Sequence, residues 1–239
     1  MLDILYRDDR LVAIDKPPGW LVHRSNLDRH ETRILVQALR DQIGRRVHPA
    51  HRLDKGTSGV MLFALDADAA ADLGDQFERD AVAKTYLAVV RGWPPESGLI
   101  DHPLTREKDA YDDTPPGEPQ PALTLYRRLA TVELPHAVDK YATARYALVE
   151  LEPRTGRRHQ LRRHMKHIAH PIIGDATHGK GIHNRFFQAR FDCGRLLLAC
   201  TELRFRHPDD ARPMRIVAPV SGEFAGVLHA LGWSEHAPG

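Results

Sequence analysis

Residues 51–59 read His51-Arg52-Leu53-Asp54-Lys55-Gly56-Thr57-Ser58-Gly59 and lead directly into an apolar run at residues 60–65. Two glycines, a threonine and a serine allow the backbone to turn tightly and supply hydrogen bonds. The apolar run is typical of a buried strand. The pattern therefore predicts a loop that presents Asp54 at the mouth of a buried strand.

Asp54 is the first candidate for a catalytic group. The cations Arg52 and Lys55 lie within two residues of it, and nearby positive charge favours the ionised carboxylate. An ionised carboxylate can act as a nucleophile or a base. A structural role, in which Asp54 caps or bridges the turn, stays open on these residues alone.

The segments around this loop predict a mixed, largely antiparallel α+β fold. Short apolar runs indicate strands at residues 11–14, 60–65, 85–90, 123–126, 145–151, 196–198 and 215–217. Helical spacing indicates helices at 32–43, after Asp66 or Asp68 with Ala69, Leu73 and Phe77 inward, at 157–167 and at 224–231. Residues 105–121 hold five acids and four prolines, which predicts an exposed, mobile loop. Residues 1–239 are expected to form a single domain.

Residues 154–170 form a second candidate site, because they contain no acid and six cations: Arg154, Arg157, Arg158, Arg162, Arg163 and Lys166. On a helix, Arg158, Arg162 and Lys166 would share one face. Such a stripe suits a phosphate backbone, whereas a solvated helix face normally mixes charge signs. His164, His167 and His170 also suggest zinc ligands, but the surrounding cations would repel a divalent ion. We expect a polyanion site and no metal.

Composition limits the remaining possibilities. Lys and Arg total 34 against 32 Asp and Glu, a net charge of +2, so nucleic-acid contacts must come from local clustering. Cys193 and Cys200 have neither CxxC nor zinc-knuckle spacing and are expected to be small core residues in a reducing compartment. The first residues lack the apolar segment of a signal peptide, and no stretch is long and apolar enough for a membrane helix. We expect a cytoplasmic protein without membrane contact.

Several motifs resemble those of the pseudouridine synthases, in the family that includes the large-subunit rRNA and tRNA enzymes. The loop 51–59 matches that family's catalytic loop residue for residue, and 84–92 resembles its tyrosine motif. Residues 155–162 resemble its third motif, 170–175 resemble the segment after that motif, and 4–6 with 15–19 are of the family type. Because the motifs span nearly the whole chain in order, the chain is identified as a member of this family.

The resemblance implies the pseudouridine-synthase fold, a long mixed, mostly antiparallel sheet in two halves with a central catalytic cleft. Asp54 would be the essential carboxylate, and Arg162 the arginine that pairs with it. Tyr86 would stack on the flipped base, Leu161 would seal its pocket, and Arg52 would enter the space that the base leaves. The remaining substrate-binding or RNA-binding residues would be His51, Thr57, Arg157, Arg158, Arg163 and Lys166.

Two roles for Asp54 are open, attack on the sugar C1′ or removal of the C2′ proton. Because the isomerisation is redox-neutral and needs no Lewis acid, no cofactor or metal is expected. Similarity to a tRNA-modifying subgroup implies tRNA as partner and uridine 65 of the T arm as target, with rRNA or another tRNA position as the alternative. We expect no obligate protein partner and no S4-type RNA-binding domain.

Two alternative functions were considered, and one position differs from the family pattern. A non-catalytic RNA-binding module is disfavoured by the intact set of Asp54, Tyr86 and Arg162. An aspartyl-phosphate phosphatase is disfavoured because residues 49–52, rather than an apolar strand, precede Asp54. The departure is Ala199-Cys200, where the family usually has His-Ala.

Overall fold

The computed structural model of the protein describes residues 1–23, 32–106 and 117–238. These residues form two compact units, the first built from Met1–Lys84 and Cys200–Pro219, the second from Thr85–Ala199 and Val220–Gly239. The chain thus enters each unit twice.

Ten strands and five α-helices are present in the described part of the chain. The strands are β1 (Asp3–Arg7), β2 (Leu11–Lys16), β3 (His48–Pro49), β4 (Ser58–Ala64), β5 (Ala83–Arg91), β6 (Ser97–Asp101), β7 (Leu123–Leu134), β8 (Ala144–Pro153), β9 (Leu198–Arg206) and β10 (Pro213–Val217). The helices are α1 (Leu35–Ile43), α2 (Ala67–Glu78), α3 (Gln160–His167), α4 (Gly181–Phe191) and α5 (Gly222–Ala230), followed by a short 3₁₀ turn at Ser234–His236.

In the first unit the strand order is β1-β2-β4-β9, with β3 beside β4 and β10 beside β9. All seven residues of β4 are buried, as in a strand that is covered on both faces. The Asp66 carboxylate caps α2 by accepting the Ala69 N–H at 2.9 Å. The loop at 51–57 is therefore followed by a fixed strand and a capped helix.

In the second unit the strand order is β5-β8-β7-β6, and each neighbouring pair is antiparallel. Its core joins the inner faces of β5 and β8 to α4 and α5. The buried side chains of this core include Leu87, Val89, Tyr146, Leu148, Phe187, Leu197, Phe224, Val227 and Trp233. The sheet and helices together confirm the predicted α+β class.

Three predicted elements begin later in the structure than the sequence predicted. Helix α1 begins at Leu35 rather than 32. The strand predicted at 196–198 begins only at Leu198, because Leu197 pairs irregularly, donating to Ile173 O at 2.9 Å and accepting from Val89 N at 3.1 Å. Helix α3 begins at Gln160 rather than 157, because His159 adopts a left-handed conformation with φ 52°.

The loop predicted at 105–121 lies mostly outside the described residues, which omit 107–116. Its described ends are fastened to each other, since the backbones of Leu104 and Gln120 exchange hydrogen bonds of 2.9 and 3.0 Å. The two cysteines are buried, as predicted. No helix in the described ranges is long and apolar enough to span a membrane.

Candidate active site

The loop that carries Asp54 closes on itself within the first unit. The Thr57 N–H donates to the Asp54 carbonyl at 3.1 Å, which forms a tight turn. Asp54 is half-buried, whereas Thr57 is buried at the base of the loop. The structure therefore presents the Asp54 side chain from a turn whose backbone is held from within.

Lys16, which sequence reasoning missed, anchors this turn from below. Its side chain is fully buried, and the ammonium group donates to the carbonyls of Pro17, Lys55 and Thr57 at 3.1, 3.2 and 2.8 Å. The Gly19 N–H also donates to the Lys55 carbonyl at 2.7 Å. An ammonium group has three donors, so these bonds fix the backbone on both sides of Gly56.

Gly59 ends the loop at a place where no side chain fits. Its φ is +104°, and a Cβ atom there would lie 2.0 Å from the carbonyl oxygen of Cys200. The glycine therefore allows β4 to approach the backbone of β9 closely. This contact explains why the motif ends in glycine.

His51 is held inside the first unit. Its ring stacks on Phe77 with centroids 4.6 Å apart, and its Nε2 accepts the Leu62 N–H at 3.1 Å. Burial, with a smaller contribution from the charge of Lys84, lowers the pKa of His51 to about 3. The ring is therefore neutral at physiological pH and ties the start of the loop to β4 and α2.

Arg52 differs from both of its neighbours because its side chain is exposed, while Leu53 is buried and His51 half-buried. The chain thus projects one cation to solvent next to the Asp54 turn. Planar, always charged guanidinium groups can stack on nucleobases.

The second unit holds the other predicted catalytic residues. Tyr86 lies on β5 opposite Leu151 of β8 and is 8% exposed. Leu161 and Arg162 lie in the first turn of α3 and are 7% and 8% exposed. All three side chains are therefore buried rather than exposed to solvent.

Arg162 forms a two-pronged ion pair with Asp175, a residue to which sequence reasoning gave no role. Its Nε and Nη2 donate to Asp175 Oδ2 and Oδ1 at 2.7 and 2.8 Å. Burial acts to raise the pKa of the Asp175 carboxyl, but the bonds from Arg162 and from the His178 and Thr177 backbones hold it below its usual range. The motif at 170–175, which ends at this residue, was the available signal.

Buried polar side chains attach α3 to β7. Gln160 accepts from Thr155 Oγ1 at 2.7 Å and Arg157 N at 3.0 Å, and donates to Leu123 O and Thr124 Oγ1, both at 3.0 Å. Sequence reasoning missed this role for Gln160. These bonds fix the helix turn that carries Leu161 and Arg162.

The six-cation stretch is not a single helix face. Arg158 lies in the turn before α3, and Arg162 is buried in its ion pair, so the predicted Arg158–Arg162–Lys166 stripe is wrong. Arg158 and Lys166 are exposed.

Arg157 and Arg163 extend along the surface to the ends of the 105–121 segment. The Arg157 Nε donates to Pro121 O at 3.1 Å, and the Arg163 Nη1 donates to Thr105 O at 2.8 Å. These cations therefore border the described ends of that loop.

The histidines considered as zinc ligands are engaged elsewhere. His164 is buried and bonds to Thr124 Oγ1 and His102 O, both at 3.0 Å, and burial lowers its pKa. His167 stacks on His102 with centroids 3.7 Å apart, and His170 donates to the Arg91 carbonyl at 2.8 Å. Within the described ranges, no three potential ligands are grouped to hold a metal.

Comparisons with known proteins show the family of the chain. The sequence pattern of RNA pseudouridylate synthases matches residues 10–167. The tRNA pseudouridine synthase C of Vibrio cholerae serotype O1 is 51% identical over 238 residues, covering 98% of both chains. That of Yersinia pestis is 48% identical over 241 residues, covering 100% of this chain and 94% of its own.

A solved structure gives the same result for the fold. Human RNA pseudouridylate synthase domain containing 1 superposes with a TM-score of 0.71 at 28% identity, covering 92% of this chain and 84% of its own. The match confirms the predicted pseudouridine-synthase fold. The chain belongs to the RNA pseudouridylate synthase family, whose members isomerise uridine to pseudouridine in RNA.

Proposed function

We propose that this protein is a tRNA pseudouridine synthase acting on uridine 65 of the T arm. The observation that carries the proposal is the 51% identity, over 98% of both chains, to a protein named tRNA pseudouridine synthase C. The position within tRNA rests on the subgroup resemblance of the sequence. The proposed enzyme works in the cytoplasm, with the whole chain as one catalytic domain.

Asp54 carries the reaction in this proposal. The bond between N1 of uracil and C1′ breaks, the base rotates, and a bond between C5 and C1′ forms, after which C5 loses its proton and N1 gains one. The carboxylate either attacks C1′ or removes the C2′ proton, both next to an oxocarbenium-like centre. The buried anchoring of the turn by Lys16 supports a fixed position for Asp54.

Access to the base requires flipping the nucleotide out of its stack. Arg52, exposed beside Asp54, fills the space left in the RNA helix. Tyr86 stacks on the flipped uracil, and base–aromatic stacking contributes about 1–3 kcal/mol. Leu161 covers the base, and Arg162 has the role that the family resemblance implies for it, that of the arginine partner of the catalytic carboxylate.

Cations at the surface of the second unit hold the RNA backbone. Arg158 and Lys166 are exposed and bind phosphates, while Arg157 and Arg163 bind beside the ends of the 105–121 segment. Thr57 and His51 act on substrate through the loop that they hold, since both are packed inside the first unit.

The test uses unmodified tRNA transcripts and an rRNA fragment, each incubated with wild-type protein and with Asp54→Asn. Pseudouridines are mapped by carbodiimide adducts that stop primer extension. We expect one stop at position 65 that disappears in Asp54→Asn and in a transcript carrying cytidine 65. A stop in rRNA or elsewhere in tRNA would overturn the target, and no stop in any RNA would overturn the activity.

A further inference from the structure

Asp175 is saturated with hydrogen bonds inside the second unit. Oδ1 accepts from Thr177 N, His178 N and Arg162 Nη2 at 2.9, 2.8 and 2.8 Å, and Oδ2 accepts from Arg162 Nε at 2.7 Å. The residue is 2% exposed. The carboxylate therefore cannot rotate without breaking several bonds at once.

The backbone beneath Asp175 is clamped as well. Asn184 of α4 accepts the Gly174 N–H and donates to the Asp175 carbonyl, both at 2.9 Å. Gly174 has φ +79°, and a Cβ atom there would lie 1.8 Å from the Arg195 carbonyl oxygen. A helix, a close backbone contact and a turn thus fix one carboxylate.

This arrangement sets the orientation of Arg162. The ion pair engages the guanidinium edge formed by Nε and Nη2, so the plane of the group follows the plane of the carboxylate. The second edge, which carries Nη1, then has a defined direction. A small displacement of a catalytic group can lower a rate about 100-fold, so this constraint matters for catalysis.

We propose that Asp175, braced by Asn184, is a positioning residue that holds Arg162 in its catalytic orientation. The inference rests on the proposed function, in which Arg162 is the arginine partner of the Asp54 carboxylate. It assigns to the short segment after α3 a role in the rate of isomerisation, separate from RNA binding.

The test compares Asp175→Asn with wild type in steady-state kinetics on tRNA, with single-turnover kinetics to measure the chemical step itself. The amide still accepts from the Thr177 and His178 N–H groups, but its NH₂ group faces the Arg162 Nε–H donor and breaks the fork. We expect kcat to fall about 100-fold, with KM and the Kd for tRNA within about threefold. Asp192→Asn, the same change at an exposed residue after α4, serves as the matched control and stays at the wild-type rate.

A double-mutant cycle separates positioning from general structural damage. In an Arg162→Gln background, Asp175→Asn should cause no further loss of kcat, because the group that it positions is gone. Asn184→Ala, which loosens the brace, should lower kcat about fivefold. Rates are normalised to folded protein measured by circular dichroism.

A spectroscopic measurement is independent of RNA. The Nε–H proton of Arg162 is observed through its ¹⁵N-correlated signal, which is assigned by its loss in Arg162→Lys. This proton should exchange slowly with solvent in wild type and at least tenfold faster in Asp175→Asn. An equal exchange rate in both proteins would overturn the fixed orientation.

Two kinetic results would also overturn the proposal. One is a kcat for Asp175→Asn within about threefold of wild type. The other is a loss of kcat in the double mutant of Asp175 and Arg162 that equals the product of the two single losses. Either result leaves the proposed function standing if wild type still modifies tRNA. Wild type that modifies no RNA would overturn the proposed function, and the role of Asp175 in catalysis with it.

Discussion

Lys16 shows how a single buried cation supports a catalytic loop. Its ammonium group donates to three carbonyls, two of which belong to the Asp54 turn. Lys16→Met keeps the apolar stem but removes this donor from all three carbonyls, of which the Lys55 carbonyl keeps the Gly19 N–H, and an unsatisfied buried group costs about 1–3 kcal/mol. We expect a loss of about 3 kcal/mol in the free energy of unfolding, measured by urea titration, and a kcat at least tenfold lower.

The exposed Lys140→Met provides the control for this substitution. It should leave both quantities unchanged. A Lys16→Met protein with wild-type stability and kcat would contradict the anchoring role.

His51 makes the stability of the first unit depend on pH. Its folded pKa of about 3 lies below the ordinary value of 6.5, so the unfolded chain binds a proton that the native chain refuses. Stability from this group is complete above pH 6.5 and falls by about 1.4 kcal/mol per pH unit as pH drops toward 3.

His51→Gln removes this titration, and Gln can still accept the Leu62 N–H. We expect unfolding free energies measured at pH 7, 6 and 5 to depend less steeply on pH, by one proton. His229→Gln, at an exposed site, should keep the wild-type slope. A His51→Gln slope equal to wild type would show that the ring titrates alike in the native and unfolded chains, which contradicts the lowered pKa.

Among the helices and strands, α3 is positioned by a glutamine rather than by apolar packing alone. Gln160 makes four hydrogen bonds, to Thr155, Arg157, Leu123 and Thr124. Gln160→Leu removes all four bonds, so we expect the free energy of unfolding to fall by about 2–4 kcal/mol.

The kcat of Gln160→Leu should fall with stability, because Leu161 and Arg162 follow directly in the helix. The comparison is Gln188→Leu on the exposed face of α4, measured by thermal unfolding and single-turnover kinetics. Equal thermal stability and kcat in the two variants would exclude a special role for Gln160.

Elements with a local signal were predictable from sequence. The seven buried residues of β4 follow from an apolar run, and the start of α2 follows from the capping carboxylate of Asp66. The start of α3 was not predictable, because no local sequence signal indicates the left-handed conformation of His159. Helix α4 was missed because its buried positions are His183 and Phe187, which give a weak apolar pattern.

The same distinction holds for the candidate site. Asp54 was found because its loop is contiguous in sequence. Lys16 and Asp175 were not assigned roles, because they act on groups 41 and 13 residues away. Such partners are visible only once the chain has folded.

Across the whole protein, a net charge of +2 conceals local clustering of cations. Arg158 and Lys166 are exposed in a stretch of seventeen residues that contains no acid. Each phosphate contact contributes a slope of about −0.7 to −0.9 to the dependence of log K on log salt. Arg158→Ala and Lys166→Ala should each flatten that slope by about one, measured by tRNA filter binding from 50 to 200 mM salt.

Arg79→Ala, which removes an exposed cation paired with Asp75 in the first unit, should leave the slope unchanged. An unaltered slope in both test variants would show that neither Arg158 nor Lys166 contacts a tRNA phosphate. It would not affect the assignment of Asp54.

The proposed reaction depends on the Asp54 carboxylate, and release of the hydrogen at C5 of uridine reports that reaction without any mapping step. tRNA labelled with tritium at C5 of uridine is incubated in excess enzyme, with Asp68→Asn as the exposed carboxylate control. We predict stoichiometric tritium release by wild type and by Asp68→Asn, and none by Asp54→Asn, which still binds tRNA. Tritium release by folded Asp54→Asn at the wild-type rate would exclude Asp54 as the catalytic carboxylate.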